Sequence, residues 1–213
     1  MQNLNFGLIE TLRFEPANDF LRLEQHLQRL QQSATQLGFA FNEGAIRAQL
    51  QAHANSPHAL RVRLCLMPDG TADIITAPYQ PLPQQTVWTL AIAATRLNSA
   101  DPLLRHKTTR RTAYEAARAE FTQAEADEVL LLNEKGELCE GTITSLFADM
   151  GDGDLLTPPL ECGLLNGVLR QELLQEGKAR TAILTLQDLQ KARHIFVGNS
   201  LRGMIPAQLA VTL

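Results

Sequence analysis

Lysine is scarce in this chain, which contains only four lysines among its 213 residues. Three of them, Lys135, Lys178 and Lys191, lie in polar segments, where a solvated charge is the ordinary explanation. Lys107 differs, because it follows the apolar residues 102–104 and precedes an alanine-rich helical pattern. An apolar setting lowers the pKa of a lysine from about 10.4 and frees its amine to attack an aldehyde. The alternative is a solvated basic segment at a helix start.

Cysteine is also rare, and the three cysteines are odd in number and scattered. This pattern does not suit a disulfide framework and favours a reducing compartment, so we expect a cytoplasmic protein. No two cysteines have the spacing of metal ligands, and the five histidines do not cluster with carboxylates. The sequence therefore predicts no metal site.

Basic excess and long apolar runs are both missing. The formal net charge of -4 and the isoelectric point near 5.7 provide no basic face for nucleic acid or an anionic membrane. No apolar run approaches the roughly 18 to 20 residues of a membrane span, and residues 1–7 lack the pattern of a leader peptide. A small metabolite is the partner that this composition favours.

Hydrophobic periodicity predicts a mixed first half. A long amphipathic helix is expected after the cap residue Asn18 and up to Gly38. The other expected elements are a strand over 6–14, a helix over 43–52 and a hairpin of strands 60–67 and 72–77.

The second half reads as an α/β mixture after a strand over 87–93 and an irregular linker over 96–104. We place the domain boundary there, giving domains 1–95 and 96–213. The expected helices are 112–121, 168–175 and 186–192, and the expected strands are 127–132, 137–139, 143–149, 155–157, 182–184 and 194–198.

Glu140 is the candidate for the acid that a cofactor-binding lysine such as Lys107 requires. A lysine that holds pyridoxal phosphate needs an acid that keeps the pyridine nitrogen protonated, since only the charged ring is a strong electron sink. Glu140 follows an apolar strand and precedes Gly141, where the backbone can pass close to a flat ligand. The alternative is an exposed glutamate at a strand end.

Phosphate-binding groups are also available. The glycine-bounded loop 163–167 precedes a helix, and amide groups at a helix N-terminus bind phosphate. Asn199 and Ser200 form a second small loop after a strand. Arg29 lies at the edge of the buried stripe of the long helix, where its guanidinium could reach inward. Ordinary turns and a solvated helix arginine are the alternatives.

Together these segments resemble the fold-type IV, or class IV aminotransferase, pyridoxal phosphate enzymes, and the likeness covers nearly the whole chain. It is best for 4-amino-4-deoxychorismate lyase-like domains. The likeness is carried by His106-Lys107-Thr108-Thr109-Arg110-Arg111 and by residues 6–13, 23–30, 126–130 and 155–160.

The resemblance implies roles for the residues already singled out. Lys107 would form the imine with the cofactor, Glu140 would bond the pyridine nitrogen, and Arg29 would bind the phosphate. The remaining implied cofactor contacts are the amides of Gly167 and Val168 and the side chains of Asn199 and Ser200 at the phosphate, with Leu165 against the ring.

Two positions depart from the aminotransferase pattern. Thr112 stands where branched-chain enzymes have a tyrosine, and Ser145 replaces a common asparagine. These two departures argue against an enzyme that transaminates branched-chain amino acids.

The resemblance further implies a small N-terminal α+β domain, a C-terminal pseudo-barrel domain, and a homodimer with its active sites near the interface. The expected reaction is the conversion of 4-amino-4-deoxychorismate into 4-aminobenzoate, a folate precursor, and pyruvate. Arg96, Arg105 and Arg202 are candidates for the substrate carboxylates. A separate aminodeoxychorismate synthase is a possible partner. The alternatives are an aminotransferase acting on D- or branched-chain amino acids and a cofactor-free dimeric binding protein.

Overall fold

The structure, a computed structural model, describes residues 5–210. The segment 1–7, which lacks a leader-peptide pattern, therefore lies partly outside the described residues. The strands are β1 (Leu8–Glu15), β2 (Asp19–Phe20), β3 (Leu60–Leu66), β4 (Ala72–Pro78), β5 (Trp88–Leu97), β6 (Glu128–Asn133), β7 (Leu138–Gly141), β8 (Ser145–Asp149), β9 (Leu155–Thr157), β10 (Ala179–Thr181), β11 (His194–Asn199) and β12 (Gly203–Leu209). The helices are α1 (Leu23–Leu37), α2 (Glu43–His53), α3 (Thr112–Ala119), α4 (Val168–Gln175) and α5 (Leu186–Lys191), with short 3-10 helices at Pro102–Arg105 and Leu160–Cys162.

The chain divides into two compact units. Unit 1 comprises Met1–Pro81 and His106–Arg110, and unit 2 comprises Leu82–Arg105 and Arg111–Leu213. The predicted boundary between residues 95 and 96 falls inside β5, which belongs wholly to unit 2. That the chain forms domains 1–95 and 96–213 stays a prediction.

Unit 1 is built on an antiparallel sheet with the strand order β2-β1-β3-β4. Leu27 and Leu30, on the apolar stripe of α1, share a buried cluster with Leu12, Val62 and Leu64 of the sheet. Burying a side chain of this size stabilises the fold by about 1.5–3 kcal/mol. The predicted helix, helix and hairpin order is confirmed.

The start of the long helix differs from the prediction, because Asn18 does not cap it. The chain makes a tight turn after Glu15, and Asp19 adopts a left-handed φ of 61°. Phe20 then pairs with Phe14 in β1, with ring centroids 5.3 Å apart. Burial of this aromatic pair outweighs the local capping preference, so α1 begins only at Leu23.

Unit 2 contains a curled eight-stranded sheet with the order β10-β9-β8-β11-β12-β5-β6-β7. Strand β6 is buried along its whole length. Its residue Leu130 faces one apolar cluster, whereas Val129 and Leu131 face another, because successive side chains of a strand point to opposite sides. The sheet therefore has a core on each face.

Three strand assignments in unit 2 are corrected by the structure. The strand expected over 182–184 lies at β10 instead, where it pairs in parallel with β9, and Leu184 is a buried loop residue. Strand β5 continues through its irregular pairing to Leu97, where a linker was expected. Strand β12 was not predicted, because a proline at 206 breaks the apparent pattern, although it pairs with β11 and β5.

Residues 5–210 contain neither a candidate membrane-spanning helix nor a candidate metal-binding group. No helix within residues 5–210 is long and apolar enough to cross a membrane. The same residues contain no group of three or more histidine, cysteine or acidic side chains placed to hold a metal ion.

Candidate active site

Residues 106–110 return to unit 1 and extend its sheet beside β1. The Ile9 amide donates to the Lys107 carbonyl oxygen at 2.7 Å, and the Thr109 amide donates to the Gly7 carbonyl oxygen at 2.9 Å. The Gly7 amide in turn donates to Thr109 Oγ1 at 3.0 Å. A side chain at Gly7 would place its Cβ 2.6 Å from Cys65 Sγ, so the close packing of residue 7 against Cys65 needs glycine. The backbone of Lys107 is thus fixed on a sheet edge rather than in a solvated helix start.

Arg29 is buried in unit 1 and paired with a carboxylate. Its Nε donates to Glu10 Oε1 at 2.9 Å and its Nη2 to Oε2 at 2.5 Å, while His26 Nδ1 lies 2.6 Å from the same Oε2. Arg29 is 7% exposed and Glu10 only 2%. The alternative that Arg29 is a solvated helix residue is therefore wrong. Its phosphate-binding role stays a prediction.

The charges in this cluster are set by burial and by Arg29. Burial raises the pKa of Glu10, but the Arg29 guanidinium and the His26 contact oppose it more strongly, so the pKa falls to about 2. Burial lowers the pKa of His26, and the nearby positive charge of Lys107 acts in the same direction. Neutral His26 can then donate from Nδ1, and Arg29 carries the positive charge that balances Glu10.

Sequence reasoning missed Glu10 and His26. The available signal was the alternation in β1, because Glu10 occupies the same face of the strand as the buried apolar residues Leu8, Leu12 and Phe14. A charged side chain is almost never fully buried unless it is paired, so its position in a central strand implied a cationic partner.

Glu140 is the penultimate residue of β7 in unit 2 and is 5% exposed. Its Oε1 accepts the Tyr114 hydroxyl at 2.6 Å and the Leu165 amide at 3.0 Å. The alternative of an exposed glutamate at a strand end is therefore wrong. The structure brings together two of the predicted site residues, Glu140 and Leu165, and it adds Tyr114, which the sequence reasoning did not single out.

A second buried glutamate holds the turn that follows Glu140. Glu128 accepts from the Thr142 amide and hydroxyl at 3.0 and 2.6 Å, from the Ile143 amide at 3.1 Å, and from the Thr144 hydroxyl at 2.9 Å. A Cβ on Gly141 would lie 2.8 Å from that carboxylate. Gly141 therefore leaves space for the Glu128 carboxylate. The sequence had suggested that this space would be filled by a flat ligand.

Both predicted phosphate loops lie against residues 143–145 of unit 2. A Cβ on Gly167 would lie 2.6 Å from Ser145 Oγ, and Asn199 Nδ2 donates to the Ile143 carbonyl oxygen at 3.2 Å. Val168 opens α4 after the N-cap residue Gly167, whose own amide donates to the Leu165 carbonyl oxygen at 2.9 Å. Ser200, 8% exposed, follows β11. Backbone amides and small hydroxyl side chains at a helix N-terminus are suited to a phosphate dianion.

The three arginines proposed for substrate differ in their surroundings. Arg96 Nη1 donates to backbone oxygens of its own strand, including that of Ala94 at 2.9 Å. Arg105 Nη1 and Arg202 Nε are buried and have no hydrogen-bond partner among residues 5–210. The guanidinium of Arg202 lies 5.9 Å from the centroid of the Trp88 ring. Arg105 and Arg202 therefore each retain one buried unused donor, whereas Nη1 of Arg96 is engaged by the backbone.

The residues present fit pyridoxal phosphate. Unit 1 carries a rigidly held lysine and a buried arginine, and unit 2 carries a buried acid beside a helix N-terminus with hydroxyl-bearing loops. Each unit thus carries residue types that suit a phosphorylated aldehyde cofactor.

The chain belongs to the class IV aminotransferase family, whose family model (Amino-transferase class IV) matches residues 7–210. The family assignment, the fold class and the prediction of an enzyme are thereby confirmed. Pyridoxal phosphate is the cofactor of this family, so that prediction is confirmed as well.

Individual relatives carry different names. A solved structure of a provisionally named amino-acid aminotransferase from Mesorhizobium loti is 53% identical, with a TM-score of 0.94, covering 96% of this chain and 100% of the other. A provisionally named aminodeoxychorismate lyase of Schizosaccharomyces pombe is 28% identical, covering 96% and 90% of the two chains. A probable branched-chain aminotransferase of Thermotoga maritima is 27% identical, covering 97% and 78%.

The Glu10 carboxylate should stabilise unit 1 in a pH-dependent way. Its folded-state pKa of about 2 lies below the ordinary value of 4.5, so its contribution is complete above pH 4.5 and is lost as the pH falls through 2. The shift corresponds to about 3 kcal/mol. We expect Glu10→Gln to lower the free energy of unfolding at pH 7 by about 3–5 kcal/mol, because it leaves Arg29 buried without its counter-charge.

Urea unfolding followed by circular dichroism between pH 2 and 7 measures this effect. Glu24→Gln is the matched control, since Glu24 lies on α1 with 74% of its side chain exposed and pairs with Arg47 at the surface. Equal losses of stability in the two variants would contradict the expectation.

Proposed function

We propose that this protein is a 4-amino-4-deoxychorismate lyase that uses pyridoxal phosphate to form 4-aminobenzoate and pyruvate. The observation that carries the lyase choice is the pair of buried guanidinium nitrogens of Arg105 and Arg202 that lack partners among the described residues. The substrate has two carboxylates, and arginine binds carboxylates with two parallel hydrogen bonds. The extensive coverage of the fission yeast relative, 96% and 90% of the two chains, also supports this choice.

In this proposal each predicted residue keeps one task. Lys107 provides the amine that holds the cofactor, Glu140 pairs with the ring nitrogen, and Arg29 binds the phosphate from unit 1. The other cofactor groups are the amides of Gly167 and Val168, the side chains of Asn199 and Ser200, and Leu165 against the ring.

When bound, pyridoxal phosphate supplies a charged ring that withdraws electrons from the substrate. Lys107, which would hold the cofactor in the resting enzyme, would during turnover accept the proton from the substrate ring carbon that bears the amine. Pyruvate leaves as its enol, which regains a proton, and the substrate ring becomes aromatic. No net oxidation occurs. Arg105 and Arg202 would bind and orient the two substrate carboxylates.

An aminotransferase is the second candidate, and it is favoured by the 53% identity to the Mesorhizobium loti protein. The same lysine would then move a proton between substrate and cofactor carbons, and the amino group would pass to a keto acid. The two candidates therefore share Lys107, Glu140 and Arg29 and differ in what Arg105 and Arg202 recognise.

The surroundings of the enzyme are also part of the proposal. We infer a homodimer, a cytoplasmic location and a place in folate precursor synthesis, with an aminodeoxychorismate synthase supplying the substrate. The three buried free cysteines support a reducing compartment.

Lys107→Ala should abolish covalent capture of the cofactor. We expect loss of the violet-range absorption band and of its bleaching by borohydride, together with a fall in turnover of about 10²–10⁴-fold or more. Lys135→Ala is the matched control, because Lys135 is exposed in the turn after β6. A Lys107→Ala protein that keeps a borohydride-sensitive band and turns over would show that another lysine holds the cofactor.

The choice of reaction is tested by supplying aminodeoxychorismate from a purified synthase. The lyase proposal expects 4-aminobenzoate and pyruvate in equal amounts, with neither formed above background by Lys107→Ala. Absence of both products, alongside amino transfer from amino acids to a keto acid, would establish the aminotransferase. A colourless protein that ignores added cofactor and performs neither reaction would support the cofactor-free binding protein.

A further inference from the structure

Tyr114 is one of only two tyrosines in the chain, and its hydroxyl donates to a buried carboxylate. The Tyr114 oxygen lies 2.6 Å from Glu140 Oε1, and the Leu165 amide donates to the same oxygen at 3.0 Å. Both donors come from elements distant in sequence, the helix α3 and the loop before α4. Glu140 is therefore oriented by groups that do not belong to its own strand.

The tyrosine is itself held in place by Arg111. The Arg111 guanidinium lies 4.5 Å from the centroid of the Tyr114 ring, and its Nη2 donates to the carbonyl oxygen of Thr142, two residues after Glu140. Arg111 thus links α3 to the turn that Glu128 fixes from the other side. A cation over the ring also makes the phenol a better donor.

The protonation states suit this arrangement. Burial raises the pKa of Tyr114 well above its usual value, and the negative charge of Glu140 adds to the effect, while Arg111 opposes it. The phenol therefore keeps its proton throughout the neutral range and acts only as a donor to the carboxylate.

We propose that Tyr114 is a positioning residue that keeps Glu140 ionised and correctly oriented, so that the shared proton stays on the ring nitrogen of the cofactor. This inference rests on the proposed role of Glu140. A carboxylate and a ring nitrogen can share one proton in two ways, as a carboxylate with a charged ring or as a carboxylic acid with a neutral ring. Hydrogen bonds donated to the carboxylate favour the first state, which is the one that withdraws electrons.

The test uses holoenzyme loaded with pyridoxal phosphate that carries 15N in its ring. In the wild-type protein the 15N chemical shift should remain at the protonated value between about pH 6 and 9. In Tyr114→Phe the signal should move towards the unprotonated value, and the dissociation constant of the cofactor should rise about tenfold or more. A shift and an affinity equal to those of the wild type would overturn the inference.

Tyr79→Phe is the matched control. Tyr79 also lies under an arginine, with the Arg13 guanidinium 4.1 Å from its ring centroid, and its hydroxyl accepts from Arg13 at 3.4 Å. It belongs to unit 1 and does not donate to Glu140. The loss of this hydroxyl should leave the 15N signal and the cofactor affinity unchanged, and a change equal to that of Tyr114→Phe would also overturn the inference.

Glu140→Gln separates this inference from the proposed function. If Glu140→Gln leaves the 15N signal at the protonated value, the proposed role of Glu140 fails. If Glu140→Gln moves the signal and Tyr114→Phe does not, only the role of Tyr114 fails.

Should Tyr114→Phe not fold, 3-fluorotyrosine at position 114 keeps the ring in place and makes the phenol a stronger donor. At neutral pH the 15N signal should then lie at least as close to the protonated value as in the wild type, because a stronger donor to the carboxylate favours the carboxylate with a charged ring. A signal displaced towards the unprotonated value would count against the inference.

Discussion

The cost of burying a carboxylate away from water is the constraint on which much of this structure depends. Glu10, Glu128 and Glu140 are all at most 5% exposed, and each is bound by donors from other parts of the chain. A buried ionised group is tolerated only when charges or hydrogen bonds replace the lost water. Each of these glutamates consequently fixes the positions of its donors, and the donors belong to the segments that carry the predicted site.

The three glutamates act on different segments. Glu10 holds Arg29 and His26 in unit 1, whereas Glu128 holds the turn over residues 142–144 in unit 2. Glu140 is held in turn by Tyr114 and by the loop before α4. Rigid placement of this kind is what a cofactor site needs, because misplacement by a fraction of an ångström weakens catalysis. In the proposed function this buried network serves the cofactor, whereas Arg105 and Arg202 outside it recognise the substrate.

Local patterns predicted much of the fold. The helix α4 and the strand β9 occur with the predicted bounds, because apolar periodicity and the flanking glycines mark them within a few residues. The errors arise where distant contacts outweigh local preference. Asn18 fails as a cap because Phe20 pairs with Phe14 in β1. Strand β12 was missed because it contains a proline and forms only through pairing with β11 and β5. The residues next to Asn18 and next to β12 in the sequence do not reveal these pairing partners.

The sequence by itself determined the family, and with it the cofactor class, through the resemblance of several segments to known enzymes, and it singled out Lys107 and Glu140 as proposed site residues. It could not determine that Arg29 and Glu140 are buried or that Glu10 and Tyr114 contact them. Those facts depend on donors and acceptors that lie 19 and 26 residues apart along the chain and meet only after folding. Hydrogen bonds and ion pairs act over a few ångströms in space, so tertiary structure alone decides which charged residues share a partner.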